Sequence, residues 1–132
     1  MRIEALRGGP QPVELQARYP MVHFAGPQFD GALARHYASG DAFVFPSLTD
    51  TSGLMLPEAL ASGLPVAAHP VPGPLDVIGD SGCGVLDRDF AQAAKRALAI
   101  PRTQCRAYAL TFTWWRCAEQ FLGNLHPIAA AR

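Results

Sequence analysis

The stretch that decides the fold is residues 42–68, AFVFPSLTDTSGLMLPEALASGLPVAA. It opens with an apolar run at residues 42–45 and closes with a second one at residues 65–68. Short continuous apolar runs of this kind are typical of strands buried on both faces of a parallel sheet. Residues 54–62 between them have helical periodicity, and Gly63 is the residue type that most often ends a helix. The order strand, helix, strand predicts a parallel βαβ unit.

The rest of the chain continues this alternation. We predict further strands at residues 3–6, 22–25 and 84–86, and helices at residues 12–18, 31–39, 87 or 89 to 99, 102–110 and 114–124. Asp30 and Thr113 are predicted to cap the helices that follow them. The alternation predicts an α/β fold, a Rossmann-like parallel sheet with helices on both faces. We expect residues 1–125 to form one domain and residues 126–132 to be a disordered tail.

Composition excludes several classes of protein. The 132 residues carry 11 basic and 11 acidic side chains, so the net charge of zero favours neither nucleic acid nor an anionic membrane as a partner. An anionic ligand would therefore have to be held by local groups. No apolar run is long enough to span a bilayer, and the first residues lack a secretory signal. The three cysteines have no CxxC spacing, which predicts packing roles, no metal site and a reduced, cytoplasmic setting.

The loop after residues 42–45 is the candidate ligand loop, because ligands of parallel sheets lie outside the carboxyl ends of the strands. It leads into a helix near Gly53, where free backbone N–H groups favour an anion and no Cβ obstructs a ligand. Asp50 and Glu58 flank this glycine, and two carboxylates suit a ligand with several hydroxyls. The same residue types also occur near helix starts for stability alone. Spacing by itself therefore leaves both interpretations open.

A family resemblance favours the ligand site. The sequence resembles the donor-binding region of glycosyltransferase family 4 over about residues 6–125, in an ordered set of motifs: GGP at 8–10, VHFAG at 22–26, VFPS at 44–47, EALASGLPVAA at 58–68, PGPLDVI at 72–78 and FTW at 112–114. Segment 72–78 is similar to a glycine-rich ligand loop of that family. The resemblance implies the C-terminal half of a GT-B fold. It also implies a retaining glycosyltransferase, a hexosyltransferase, that uses a nucleotide-sugar and needs no metal.

The resemblance also implies roles for individual residues. Glu58 would bind the ribose of the nucleotide. The donor sugar and diphosphate would be bound by Asp50, Ser52, Gly53 and Leu54, partly through backbone N–H groups. The walls of the donor pocket would be formed by Gly26, His69 and Gly73.

Several positions depart from the family pattern. Asp50 is one methylene shorter than the usual glutamate, and Ser52 replaces a phenylalanine. Pro57 indicates a late start of its helix. The family's diphosphate-binding arginine and lysine, and its acceptor domain, are expected to precede residue 1. We therefore assign no catalytic residue, and Arg35 and Arg88 are interpreted as solvated surface charges.

Three functional hypotheses follow. The first is a donor-binding domain of a retaining glycosyltransferase, not catalytic on its own, that binds a UDP- or GDP-sugar and works with a separate acceptor domain. The second is a non-catalytic nucleotide-binding or interaction module derived from such an enzyme. The third is a generic α/β domain, such as a flavodoxin-like regulator, and it is disfavoured because no acidic cluster follows a strand. An unpaired sheet edge would favour self-association, and the complete enzyme would be cytoplasmic or peripheral to a membrane.

Overall fold

The computed structural model describes residues 3–5, 12–49 and 54–126. The chain divides into two compact units, Met1–Ser39 and Gly40–Arg132. In the first unit, β1 (Ile3–Ala5) and β2 (Val22–Phe24) pair in parallel and are joined through α1 (Pro12–Arg18). The unit ends with α2 (Asp30–Ser39), which buries Tyr37. These elements confirm the predicted alternation of strands and helices in this part of the sequence.

The second unit contains a three-stranded parallel sheet. Its strands are β3 (Phe43–Phe45), β4 (Val66–Ala68) and β5 (Gly84–Leu86), in the order β3-β4-β5. The register aligns Phe45 with Ala68 and Ala68 with Leu86, so the three strands end level with one another. Because all three run in the same direction, the loops that follow them emerge at one edge of the sheet.

The described part of the second unit contains five helices: α3 (Met55–Ala61), α4 (Pro72–Val77), α5 (Phe90–Ala97), α6 (Arg102–Ala109) and α7 (Trp114–Gly123). Helix α5 packs against β4 and β5, whereas α3 packs against β4, α4 and α6. The parallel sheet flanked by helices confirms the predicted α/β, Rossmann-like fold. No helix in the described ranges is long and apolar enough to cross a membrane.

The core of the second unit is centred on β4, whose three residues are completely buried. Helix α3 contributes Leu56 and Leu60, neither of which has any exposed surface. Helix α5 contributes Ala93 and Ala97, which pack with Ala67 of β4. These side chains are single methyl groups, so α5 can lie close to the sheet.

Local signals placed the ends of several helices correctly. Gly63 follows α3 with a φ of +78°, the left-handed conformation that glycine adopts without strain. The side chain of Asp89 accepts a hydrogen bond from the Gln92 N–H, which identifies Asp89 as the residue that caps α5. Thr113 caps α7 by accepting from the Arg116 N–H. Pro57 lies in the first turn of α3, which begins at Met55, so the prediction of a late helix start is confirmed.

Three expectations were wrong. Strand β3 is not buried on both faces, since Val44 is 45% exposed; the flanking helices pack mainly on β4 and β5. Segment 72–78 is largely the helix α4 instead of a loop, and Pro72 begins it at a position where a missing N–H costs nothing. Cys117 is exposed, because α7 buries none of its residues.

The exposed face of α7 is strongly apolar. Trp114 is 91% exposed and Trp115 is 74% exposed, and Phe121, Leu122 and Leu125 are exposed as well. Helix α7 therefore carries exposed apolar side chains along its length. Residues 127–132, most of the predicted tail, lie outside the described residues.

The other two cysteines are buried and in contact: Cys83 immediately precedes β5, and Cys105 lies on α6. The Cys105 thiol donates to the Cys83 carbonyl at 3.7 Å, and the Cys83 thiol donates to the Gln104 carbonyl at 3.7 Å. Burial, and then the neighbouring Cys83 thiol, raise the pKa of Cys105 from 9.0 to about 11.

We expect this raised pKa to make stability depend on pH. Between pH 9.0 and about 11 the unfolded chain ionises Cys105 while the folded chain keeps the thiol protonated. The contribution of Cys105 to stability is therefore complete below this window and is lost as the pH rises through it. Urea denaturation of the wild type and Cys105→Ala should show a wild-type advantage that shrinks across the window. Because the two proteins share all other titrating groups, the difference between their stabilities isolates the effect of Cys105. A difference in stability that is independent of pH would contradict the expectation.

Gly84 at the start of β5 has no room for a side chain. A Cβ at this position would lie 2.7 Å from the Val66 carbonyl oxygen and 2.9 Å from Cγ2 of Ile78. We expect Gly84→Ala to lower the free energy of unfolding by about 1–3 kcal/mol, because backbone and core must shift. Gly123→Ala is the matched control, since nothing lies within 4 Å of a Cβ there. Equal losses for the two variants in urea denaturation would refute the steric argument.

Candidate functional site

An open cleft lies at the carboxyl ends of β3, β4 and β5. Its volume is about 390 Å³, and the described residues that line it are Leu48, His69, Pro70, Val71 and Arg88. Leu48 follows β3, residues 69–71 follow β4 and Arg88 follows β5, so each strand supplies a loop to the cleft. This is the edge at which parallel sheets bind their ligands. The level register of the three strands brings these loops together.

His69 is held in the cleft by an aromatic contact. Its imidazole stacks on the ring of Phe90, with 4.9 Å between the ring centroids and 23° between the planes. Phe90 is the first residue of α5, and both rings are partly buried. The stack limits the orientation of the imidazole. His69 lies at the carboxyl edge of the sheet, as expected, and its contact with a donor stays a prediction.

Other predicted site residues belong to α3 or to the sequence just before it. Asp50, Ser52 and Gly53 fall within residues 50–53, outside the described residues. Leu54 immediately precedes α3, with its side chain 72% exposed. Glu58 is the fourth residue of α3 and is exposed; among the described residues it does not line the cleft. The ligand roles of these residues stay predictions.

The two predicted glycines differ in their surroundings. Gly73 is buried within α4, two residues after Val71 of the cleft. Gly26 belongs to the first unit, where it follows β2 with a φ of +72° and has open space around its Cβ position. Their assignment to the wall of a donor pocket also stays a prediction. Within the described ranges, no three histidine, cysteine or acidic side chains come together as a metal-binding group.

Sequence reasoning missed Arg88. We interpreted it as a solvated surface charge, and it is exposed, but it also lines the cleft. The signal that could have identified it is its position two residues after β5, at the edge where the other ligand loops emerge. Arg35, the other arginine interpreted in this way, lies exposed on α2.

Helix α3, which carries Glu58, is fixed at its far end by two arginines of α6. Arg106 donates to the Ala61 carbonyl, and Arg102 donates to the Ser62 carbonyl at 3.2 Å and also to the Gly40 carbonyl. The carbonyls of a final helical turn lack partners within the helix, and cations there also interact favourably with the helix dipole. These contacts anchor α3 to α6 and so help to position its first turn.

Comparison with known proteins identifies the family. The model of the family described as "Glycosyl transferases group 1" matches residues 5–100. The chain belongs to this family. The match includes β2 to β5 and the whole cleft.

Individual relatives agree with this assignment. The chain is 37% identical over 141 aligned positions to a GDP-mannose-dependent alpha-mannosyltransferase of Mycobacterium tuberculosis, covering 100% of this chain and 37% of that protein. Identity to a protein of the same name from Mycolicibacterium smegmatis is 33%, covering 91% of this chain and 34% of the relative. A D-inositol 3-phosphate glycosyltransferase of Geodermatophilus obscurus is 32% identical, covering 77% and 24%. The chain thus spans about a third of the length of the mannosyltransferases it matches.

The anchoring of α3 can be tested by removing one guanidinium. Arg106→Gln keeps a helix-forming residue but removes the charged donor to the Ala61 carbonyl. We expect the free energy of unfolding to fall by roughly 0.5–1 kcal/mol, and amide exchange to accelerate at the end of α3. Arg35→Gln, on the exposed face of α2, is the control and should change neither quantity. Identical behaviour of the two variants would show that the contact does not hold α3.

Proposed function

We propose that this chain is the donor-binding part of a retaining glycosyltransferase with a GT-B fold, and that it binds a nucleotide-diphosphate-sugar. The observation that carries the proposal is the cleft at the carboxyl ends of β3, β4 and β5, within the region matched by the family model. An open cleft of about 390 Å³ can take part of a nucleotide-sugar while leaving the reacting carbon accessible. Its apolar members, Leu48, Pro70 and Val71, would exclude water from the ligand face.

The proposed contacts of the donor begin at the loop between β3 and α3. Glu58 would accept hydrogen bonds from the vicinal ribose hydroxyls, which a carboxylate can do with both oxygens. Asp50 would accept from hydroxyls of the sugar. Backbone N–H groups at residues 52–54 would bind the sugar and the diphosphate.

The remaining contacts would come from the pocket walls. His69, held by its stack on Phe90, would offer a ring nitrogen to the donor. Gly73 would form a further part of the wall, where a side chain would obstruct the ligand. Protein groups would compensate the charge of the diphosphate leaving group, without a metal.

The relatives suggest which donor to test first. Two mannosyltransferases named as GDP-mannose-dependent match at least 91% of this chain. We therefore propose GDP-mannose as the first candidate donor, ahead of UDP- and ADP-sugars.

We place acceptor binding, and therefore transfer itself, outside these 132 residues. The matched mannosyltransferases are about three times as long as this chain, and holding donor and acceptor in a reactive geometry supplies much of the rate of a group transfer. The chain alone is accordingly proposed to bind donor and to transfer sugar at a negligible rate.

Calorimetric titration with GDP-mannose, UDP-glucose and ADP-glucose tests the proposal. The wild type should bind at least one of these donors. Glu58→Gln should weaken that binding by roughly ten- to a hundredfold, because a hydrogen bond to a charged group contributes roughly 1.5–3 kcal/mol.

Glu119→Gln is the matched control, since Glu119 is an exposed glutamate on α7 and belongs to no proposed contact. If none of the three donors gives a heat of binding, even at high concentration, the donor-binding role is refuted. Binding that Glu58→Gln leaves unchanged would refute the assignment of the ribose contact alone.

A further inference from the structure

The cleft contains one permanently charged side chain among its described lining residues. Leu48, Pro70 and Val71 are apolar and His69 is an imidazole, so Arg88 is the cation of the group, and none of the five is a carboxylate. The chain has a net charge of zero, and its overall field therefore gives no attraction for an anion. Any electrostatic preference at this edge of the sheet must come from local charge, and Arg88 provides it.

The two carboxylates beside Arg88 in the sequence have other partners. Asp87 accepts from the Asp89 N–H at 3.0 Å and pairs with Arg96 at 3.4 Å. Asp89 accepts from the Gln92 N–H at 3.1 Å as the cap of α5. In the parts of the chain that the structure describes, no carboxylate oxygen lies within ion-pair distance of Arg88. Arg88 therefore has no ion-pair partner among these residues, although the charge of Asp89 lies next to it in the sequence.

The position of Arg88 is fixed by the sheet. The Asp87 N–H donates to the Ala68 carbonyl at 3.1 Å, so the pairing of β4 with β5 continues to the residue before Arg88. On its other side, Asp89 begins α5. Arg88 is the single residue between a paired strand and a capped helix, so its backbone has little freedom. It therefore lies at the same edge of the sheet as the loop that contains His69.

We propose that Arg88 binds the diphosphate of the nucleotide-sugar, an inference that rests on the proposed function. The guanidinium group presents a planar set of N–H donors that matches two phosphate oxygens at once. Arg88 would place a positive charge beside the group that leaves during transfer.

The experiment compares ligands with and without the diphosphate. Wild type, Arg88→Gln and the control Arg35→Gln are titrated with GDP, UDP and ADP and with the matching nucleosides. For the base that the wild type prefers, Arg88→Gln should weaken diphosphate binding by about tenfold and change nucleoside binding by less than about twofold. Inorganic pyrophosphate should displace the diphosphate from the wild type more effectively than from Arg88→Gln. Arg35→Gln should behave as the wild type throughout.

Each outcome decides the proposal. Equal diphosphate affinities of wild type and Arg88→Gln would overturn it while leaving the donor-binding function in place. Equal weakening of diphosphate and nucleoside would also overturn it, because Arg88 would then act on the nucleoside or on the fold. Failure of the wild type to bind any of the three diphosphates would overturn both this proposal and the proposed function. Unchanged urea midpoints for both variants would establish that the comparison is made between folded proteins.

Discussion

The parallel pairing of β4 with both β3 and β5 is the constraint on which the second unit depends. Strand β4 is completely buried, so its backbone polar groups must find partners within the protein, and the two flanking strands provide them. The resulting register ends all three strands at the same level. Helices α3 and α5 then pack on the centre of the sheet, and the loops after the strands form one cleft. The position of the candidate site is therefore determined by the backbone hydrogen bonds of the sheet, and the side chains then determine its chemistry.

Much of this architecture could be predicted because its determinants are local. Helical periodicity, a glycine at position 63, and caps at Asp89 and Thr113 act over a few residues and are visible in the sequence. The order of strands and helices then leads to a parallel sheet, since neighbouring strands joined through a helix run in the same direction. His69 was placed correctly for the same reason, because it directly follows a strand whose apolar residues indicated burial.

What could not be predicted depends on tertiary packing. Valine is a residue type that is often buried, but Val44 is exposed because the helices cover β4 and β5 more fully than β3. Arg88 stands between two aspartates and looks like part of a solvated charged turn; only the contacts of Asp87 with Arg96 and of Asp89 with α5 show that those carboxylates are engaged elsewhere. Cys117 was expected to pack, but α7 buries none of its residues. In each case the surroundings of the residue depend on contacts with parts of the chain that are distant in the sequence.

The sheet provides the stable core and the loops provide the residues of the cleft, and this separation affects how such a domain can evolve. The three side chains that distinguish the cleft, at positions 48, 69 and 88, come from three separate loops, and none belongs to the completely buried core. Substitutions there change the chemistry of the cleft without opening a cavity beneath it. Because each loop follows its own strand, the positions can also vary independently. Proteins with this scaffold can therefore acquire new ligand preferences by substitutions in one loop at a time. A combinatorial library at these three positions would test the same substitutions in the laboratory.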